Sequence, residues 1–285
     1  PRIYVPALYE KTAVREIREF EQERHIPVFV PPVRKSMGGV FVFLFLLFVW
    51  HGFRFGWFAP LLPSSPFPAE PGAWSRAFGL DMYRTRELHE WWRTVTALSL
   101  HADDSHLFSN LGFRLLFLFA LCRRAGLGLG LALTVCAGIA GNACNTLFKN
   151  PGVVSIGFST ALFGAVGSLC ALAAADIVRH QNRFSHWDNS GRGLGFQIVK
   201  GLGMPLAAGL ALLGILGGGG EVRTDYSAHI LGFCCGIVLT SVVLPLEKRL
   251  FSLSEQKQKR TQSVLFLLTL TGICLAWAYA LITIS

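Results

Sequence analysis

The stretch SIGFSTALFGAVGSLCALAAADIV, Ser155–Val178, decides the fold. It follows a short polar turn, FKNPGVV, and supplies about 20 apolar or small residues, enough to cross a bilayer. The rest of the chain has the same character. Of its 285 residues, 52% are hydrophobic and only 15% charged, with a mean hydropathy of +0.47. Soluble domains carry about 25% charged residues. The apolar residues also come in long blocks, which predicts an all-α polytopic membrane protein. Ser159 and Thr160 stand at the mouth of the quoted run. A hydroxyl framed by glycine often serves only to pack membrane helices, so the remaining chain must decide what Ser159 does.

Seven spans are expected, starting near Met37, Ser105, Gly126, Gly157, Gly201, Tyr226 and Gln262. Basic residues orient them. With a cytoplasmic N-terminus, the cytoplasmic segments (1–36, CRRA, 179–200 and 247–260) hold 18 Lys and Arg, against 7 on the opposite side. That asymmetry predicts N-terminus in and C-terminus out. It also accounts for the net charge of +9. No basic run is interleaved with aromatics, so no nucleic-acid partner is expected. The seven cysteines are scattered through apolar runs and form no CxxC pair, as expected of small hydrophobes rather than a disulfide framework. The first 35 residues are polar, and no cleavable signal peptide is expected among them. They hold a short amphipathic helix around EKTAVREIREFEQER. The first external loop, about 55–104, is rich in Trp, Phe, Arg and Pro and suits the membrane interface. No internal repeat is visible, which argues against an inverted-repeat transporter.

With this topology, His101, His106, Asn110, Ser159 and His229 all fall near the external ends of the spans. Ionisable groups within a membrane are costly, so their default reading is functional. In span six, His229, Gly232 and Gly236 recur at i, i+3 and i+7 on one helix face. In span four, Thr160, Gly164, Gly167, Ala171 and Ala174 form a comparable small stripe beside Ser159. Two small-faced helices pack closely and bring the imidazole within reach of the hydroxyl. A serine becomes a good nucleophile when a neighbouring base takes its proton. His106 and Asn110, at i and i+4, point the same way and are candidate oxyanion donors. No well-placed Asp or Glu orients His229, so a dyad is expected rather than a triad.

Three motifs then carry a family likeness. WWRTVTALSLHADDSHLFSN contains Trp92-Arg93, Thr96, His101, His106 and Asn110; GFSTALFGAVG contains Gly157 and Ser159; AHILGFCCG contains His229, Gly232 and Gly236. In this order they resemble the rhomboid intramembrane serine proteases. The resemblance implies a six-helix core over 36–246, a short cytoplasmic segment over 1–35, and a cytoplasmic linker with a seventh helix over 247–285. It implies Ser159 as nucleophile, His229 as general base, and His106, Asn110 and the Ser159 backbone N–H as the oxyanion hole. Trp92-Arg93 would be structural. His101, Gly157, Thr160, Gly232 and Gly236 would be structural neighbours of the site. The fifth helix, 201–219, would be the mobile flank by which a substrate helix enters. Substrates would be single-pass or other transmembrane proteins in the lipid bilayer, cut near the external face in locally unwound segments. No metal or cofactor is implied. A multi-pass protein of the cell membrane is expected.

The family pattern is Gly-x-Ser-Gly, whereas this chain has Gly157-Phe158-Ser159-Thr160. Threonine adds bulk and a second hydroxyl, which keeps open a catalytically weak or inactive rhomboid-like protein that binds membrane clients. A transporter using His101, His106 and His229 as metal ligands leaves Ser159 and the glycine stripe unexplained. His51 and Arg54 read as interfacial and Asp176 as a solvated helix end. Arg114, about 12 Å below His106 at 1.5 Å per residue, either snorkels or pairs with a group the sequence does not identify.

Overall fold

The computed structural model describes residues 4–24, 38–58, 70–184 and 225–284, with the helical positions Gly203, Ala207 and Ala211. The rest of the fifth span expected over 201–219, and the loop 185–200, lie outside the described residues. The helices are α1 (Glu10–Arg24), α2 (Gly38–Arg54), α3 (Pro71–Phe78), α4 (Met82–Glu87), α5 (Arg93–Thr96), α6 (Asp104–Ala125), α7 (Leu127–Phe148), α8 (Ser159–Phe184), α9 (Tyr226–Ser252) and α10 (Glu255–Ile284). Among the described residues four helices, on α7, α8, α9 and α10, are long and apolar enough to cross a membrane. α2 is apolar but shorter. α6 carries Arg114, Arg123 and Arg124 along with its apolar residues.

α8 is the central helix. In the most apolar window of each helix, 67% is buried in α8 and 11% in α10, which puts α10 on the outside. The small stripe on α8 faces α9 and α7. A Cβ at Gly232 would overlap the carbonyl of Thr160, and one at Gly236 would overlap the carbonyl of Gly164. Gly138 of α7 sits against Ala161 of α8, where an added Cβ would overlap the alanine methyl and crowd its backbone. Lipid offers no hydrophobic drive to helix association, so such backbone-to-backbone contact is what holds the bundle.

The end of the bundle away from Ser159 is tied by polar side chains. α6 and α7 are joined by Gly126 alone, at φ +93°, a left-handed conformation natural to glycine. Gln262 of α10 caps this turn, donating to the Ala125 carbonyl at 3.1 Å and accepting from the Leu129 N–H at 2.9 Å. Both groups belong to helix ends that lack intrahelical partners. Arg124 of α6 bridges Asp176 of α8 and Glu247 of α9 at 2.8 and 2.5 Å. Asp176 is therefore part of a three-helix ion-pair cluster, not the solvated terminus expected from its position in sequence.

The long first loop folds into α3, α4 and α5 and a two-residue strand, β1 (Leu80–Asp81). β1 pairs antiparallel with β2 (Val154–Ser155), matching Leu80 with Ser155 and Asp81 with Val154. This short pairing was not expected in an all-α reading, and it joins the loop to the segment just before Ser159.

Gly236→Ala should lower the unfolding temperature in detergent by the equivalent of about 1–3 kcal/mol, the usual cost of overpacking, because the new methyl meets backbone. Gly272→Ala on α10, where a Cβ would meet nothing within 4 Å, should be neutral or slightly stabilising. Equal effects at the two glycines would contradict this account of the helix contacts.

Candidate functional site

The first turn of α8 starts where the backbone reverses. Gly157 has φ +131°, in the left-handed range, and its N–H donates to the Ala97 carbonyl at 2.9 Å. Four residues before Gly157, the Val153 carbonyl accepts from the Met82 N–H at 3.2 Å. The loop before Ser159 is thus held from the first loop at Met82, along the β1–β2 pair and at Ala97. The Phe158 carbonyl accepts from the Leu162 N–H, opening the helix.

Ser159 Oγ lies 2.8 Å from Nε2 of His229, both side chains being buried. Their ring and hydroxyl come from α9 and α8, 70 residues apart in sequence. The imidazole stacks on Phe163, one turn along α8, with ring centroids 4.6 Å apart and planes 21° from parallel. Gly232 and Gly236, on the face of α9 that carries His229, are the residues that let the two helices touch. Thr160 is buried, and its Cγ2 packs where methyls on Gly141 and Gly232 would otherwise stand. The larger residue beside Ser159 is accommodated by glycines on the two neighbouring helices.

Asp225 was not singled out from the sequence. It caps α9, accepting from the Ala228 N–H at 3.3 Å, and its carboxylate receives Asn145 Nδ2 at 2.8 Å and Lys149 Nζ at 3.1 Å. Ser227 Oγ lies 2.7 Å away. Burial disfavours the charge, but the hydrogen bonds from Ser227, Asn145, Lys149 and the Ala228 N–H outweigh it and hold the carboxyl below its ordinary value of 3.8. Asp225 stands one turn before His229, so it sets where that turn begins. An Asp ahead of a helix is an N-cap signal, and that signal was available in the sequence.

Trp92 and Arg93 lie away from the Ser159–His229 contact and brace the loop. Arg93 is fully buried, donates to Glu90 at 2.5 Å and to the Gly79 carbonyl at 2.9 Å, and covers the Trp92 ring at 4.4 Å. Glu90 is also held by Arg84 at 2.8 Å. Thr96 donates to the Phe78 carbonyl at 2.7 Å.

His101 joins a second polar group. Its Nε2 meets Arg114, and its carbonyl accepts from Arg54. Arg54 also donates to Ser75 at 2.7 Å. His51 Nε2 lies 2.8 Å from Asp104. His51 and Arg54 are buried, with Ser75, His101 and Asp104 as their partners. Arg114 is fully buried and does not snorkel; its guanidinium lies 5.5 Å from the Phe158 ring. Its partner His101 arrives from the loop before α6, a juxtaposition that no helical spacing encodes. The side chains of His106 and Asn110, the expected oxyanion donors, lie outside the described residues. No group of three His, Cys, Asp or Glu gathers as a metal site among the described residues.

A family model described as the Rhomboid domain matches residues 88–246, more than half of the chain. The chain belongs to the rhomboid family. The matched rhomboid segment runs from the end of α4 into α9 and contains Ser159, Thr160 and His229, while α2 and α10 flank it. RHOMBOID-like protein 1 of Arabidopsis thaliana is 31% identical over 171 residues, covering 58% of this chain and 38% of that protein. Rhomboid-like protease 3 of Toxoplasma gondii is 40% identical over 80 residues, covering 28% of this chain and 30% of that protein. The matches thus span about a third of the length of these curated relatives. No solved structure matches the chain.

The Asp225 cap makes a prediction with a definite sign. A carboxyl whose folded pKa is depressed contributes stability above its unfolded value, and that contribution fades as pH falls through the folded value. Asp225→Ala should cost about 0.5–2 kcal/mol at neutral pH. Thermal unfolding followed below pH 3.8 should then show the gap between wild type and variant closing.

Proposed function

We propose that this rhomboid-family chain is an intramembrane serine endopeptidase. One observation carries the reading: a hydroxyl at the N-terminus of α8 and an imidazole of α9 meet at 2.8 Å in a buried setting. In the proposed reaction His229 Nε2 takes the Ser159 proton as Oγ attacks the scissile carbonyl. His229 then protonates the leaving amine, and water, activated by the same imidazole, releases the acyl-enzyme. The Ser159 backbone N–H, His106 and Asn110 are proposed to hold the oxyanion. Each such donor is worth about 2.7–4 kcal/mol in other enzymes.

The proposed substrates are membrane-spanning proteins, cut near the external face where their helix is locally unwound. A regular helix engages the scissile carbonyl in its own hydrogen bonds, so unwinding is what frees it. The proposed architecture is a six-helix core over 36–246 plus a seventh helix, with 201–219 as the flank by which substrate arrives. The N-terminus is cytoplasmic and the C-terminus external in this reading, in the cell membrane. Support comes also from the similar protein whose name is Rhomboid-like protease 3. Thr160 in place of the family's glycine is compatible with activity, because Gly141 and Gly232 make room for it.

The test uses purified full-length protein reconstituted with a model transmembrane substrate bearing small residues near its external end. Wild type should cleave; Ser159→Ala and His229→Ala should each lose at least about 10³-fold, and the double variant little more, since the two groups act as a unit. Thr160→Gly should still cleave. If wild type neither cleaves nor reacts at Ser159 with a fluorophosphonate, the chain is a rhomboid-like protein that binds membrane clients without cutting them.

A further inference from the structure

A cavity of about 400 Å³ lies between α2 and α10, two helices outside the segment that matches the family. Its back wall is Leu98, Val135 and Phe158, all buried. Its mouth is formed by Leu46, Cys274 and Ala278, which are exposed, with the apolar Phe45 and Leu275 exposed beside them. The lining is almost wholly aliphatic and aromatic. Ser99 contributes a hydroxyl, but it donates to the Thr96 carbonyl at 2.8 Å and accepts from Trp277 Nε1 at 3.0 Å.

The shape identifies the occupant. The lining runs from Phe43 to Trp50 on α2 and from Leu270 to Leu281 on α10. At 1.5 Å per residue these stretches are roughly 10 and 16 Å long, close to the ~15 Å of hydrocarbon in one leaflet. A helix about 10–12 Å across with its side chains would fill roughly 1,300–1,800 Å³ over the longer stretch, more than a cavity of about 400 Å³ offers; a single hydrocarbon chain is far slimmer. Water would need two to four polar partners, and this lining is poor in them. An empty slot would forfeit dispersion contacts along both walls. At one end Trp50, Trp74 and Trp277 cluster, with the Trp50 and Trp277 rings 4.6 Å apart. Indoles of this kind favour the boundary between hydrocarbon and headgroup.

We infer that this cavity is an acyl-chain site. One chain of a bilayer lipid lies along it, with its glycerol end near Trp50 and Trp277 and its methyl end toward Phe43 and Leu270. Lipid tails are as apolar as leucine, so the chain gains nothing from leaving the bilayer as such; filling the slot is what holds it. The bound chain touches Phe158, whose ring also packs on Phe43 at 5.7 Å and under Arg114. It thereby becomes part of the packing behind the residue that precedes Ser159. The binding site stands on the cavity alone and does not depend on proteolysis.

The full chain is reconstituted in phosphatidylcholine bilayers containing a tracer phosphatidylcholine with a diazirine in one acyl chain. After irradiation, adducts are mapped by peptide mass spectrometry. Buried lining residues such as Leu47, Leu98 and Phe158 should be labelled several-fold more than the exposed Phe45 and Leu275. Ala278→Trp, which fills the mouth, should reduce labelling of the lining at least fivefold and leave Leu275 labelling unchanged. Adducts confined to the exposed faces, or lining adducts undiminished in a folded Ala278→Trp variant, would overturn the assignment. Should that variant not fold, the wild-type map decides alone, since an unlabelled lining in wild type already refutes the site.

Discussion

Everything at the candidate site depends on the contact of α8 with α9 through glycine. Gly232 and Gly236 bring the α9 backbone onto the carbonyls of Thr160 and Gly164. At ordinary helix spacing, 8–10 Å between axes, side chains would fill the gap that these residues leave empty. The close approach carries the His229 ring to 2.8 Å from Ser159. A serine and a histidine are common residues; what makes this pair chemically interesting is that two backbones pass so near that neither side chain has to stretch. The same constraint explains why a threonine beside the serine is tolerated. Its methyl needs space on a neighbouring helix, and Gly141 and Gly232 supply it.

A second constraint comes from the solvent. In hydrocarbon an unsatisfied polar group costs several kcal/mol, so the polar residues of this chain collect into connected groups. Gln262 closes the ends of α6 and α7, Arg124 gathers Asp176 and Glu247, and Asp225 gathers Asn145, Ser227 and Lys149. Each group ties elements that are distant in sequence. The first loop does the same work for the segment before Ser159. Its β1 strand pairs with Val154–Ser155 and Ala97 holds the Gly157 N–H, while Arg93 braces the loop from within. Ser159 is consequently positioned from two sides, by helix packing below and by loop hydrogen bonds above.

The α2–α10 cavity belongs to the same physics. α10 packs on the core through Leu265, Phe266, Leu270 and Ile273 and is pinned by hydrogen bonds at two points. Gln262 engages the α6–α7 turn at one, and Trp277 reaches Ser99 at the other. Between these contacts the helix stands off from α2, and the gap is lined by side chains with little to offer water. A soluble protein would close such a gap, since water drives apolar walls together. In a bilayer that drive is absent, and a slot filled by hydrocarbon is as acceptable as one filled by leucine.

The sequence by itself determined the class of protein and the positions of the spans that fall on α2, α6, α7, α8 and α9. Apolar runs are long because the bilayer is thick, so the starts expected near Met37, Ser105, Gly126 and Tyr226 fall within a residue of α2, α6, α7 and α9. α8 begins two residues after the expected Gly157. α10 begins seven residues before Gln262, because its first two turns are polar. The Ser159–His229 pairing was also legible, since small residues at helical spacing mark the faces that meet. Only the tertiary structure decided the partners of the isolated polar residues. Arg114 meets His101, His51 meets Asp104, and Asp176 meets Arg124. These pairs join residues between 13 and 53 positions apart, across loops whose path no periodicity encodes. Helical period reports which face a residue occupies; which neighbour stands opposite is set by how the loops return the chain.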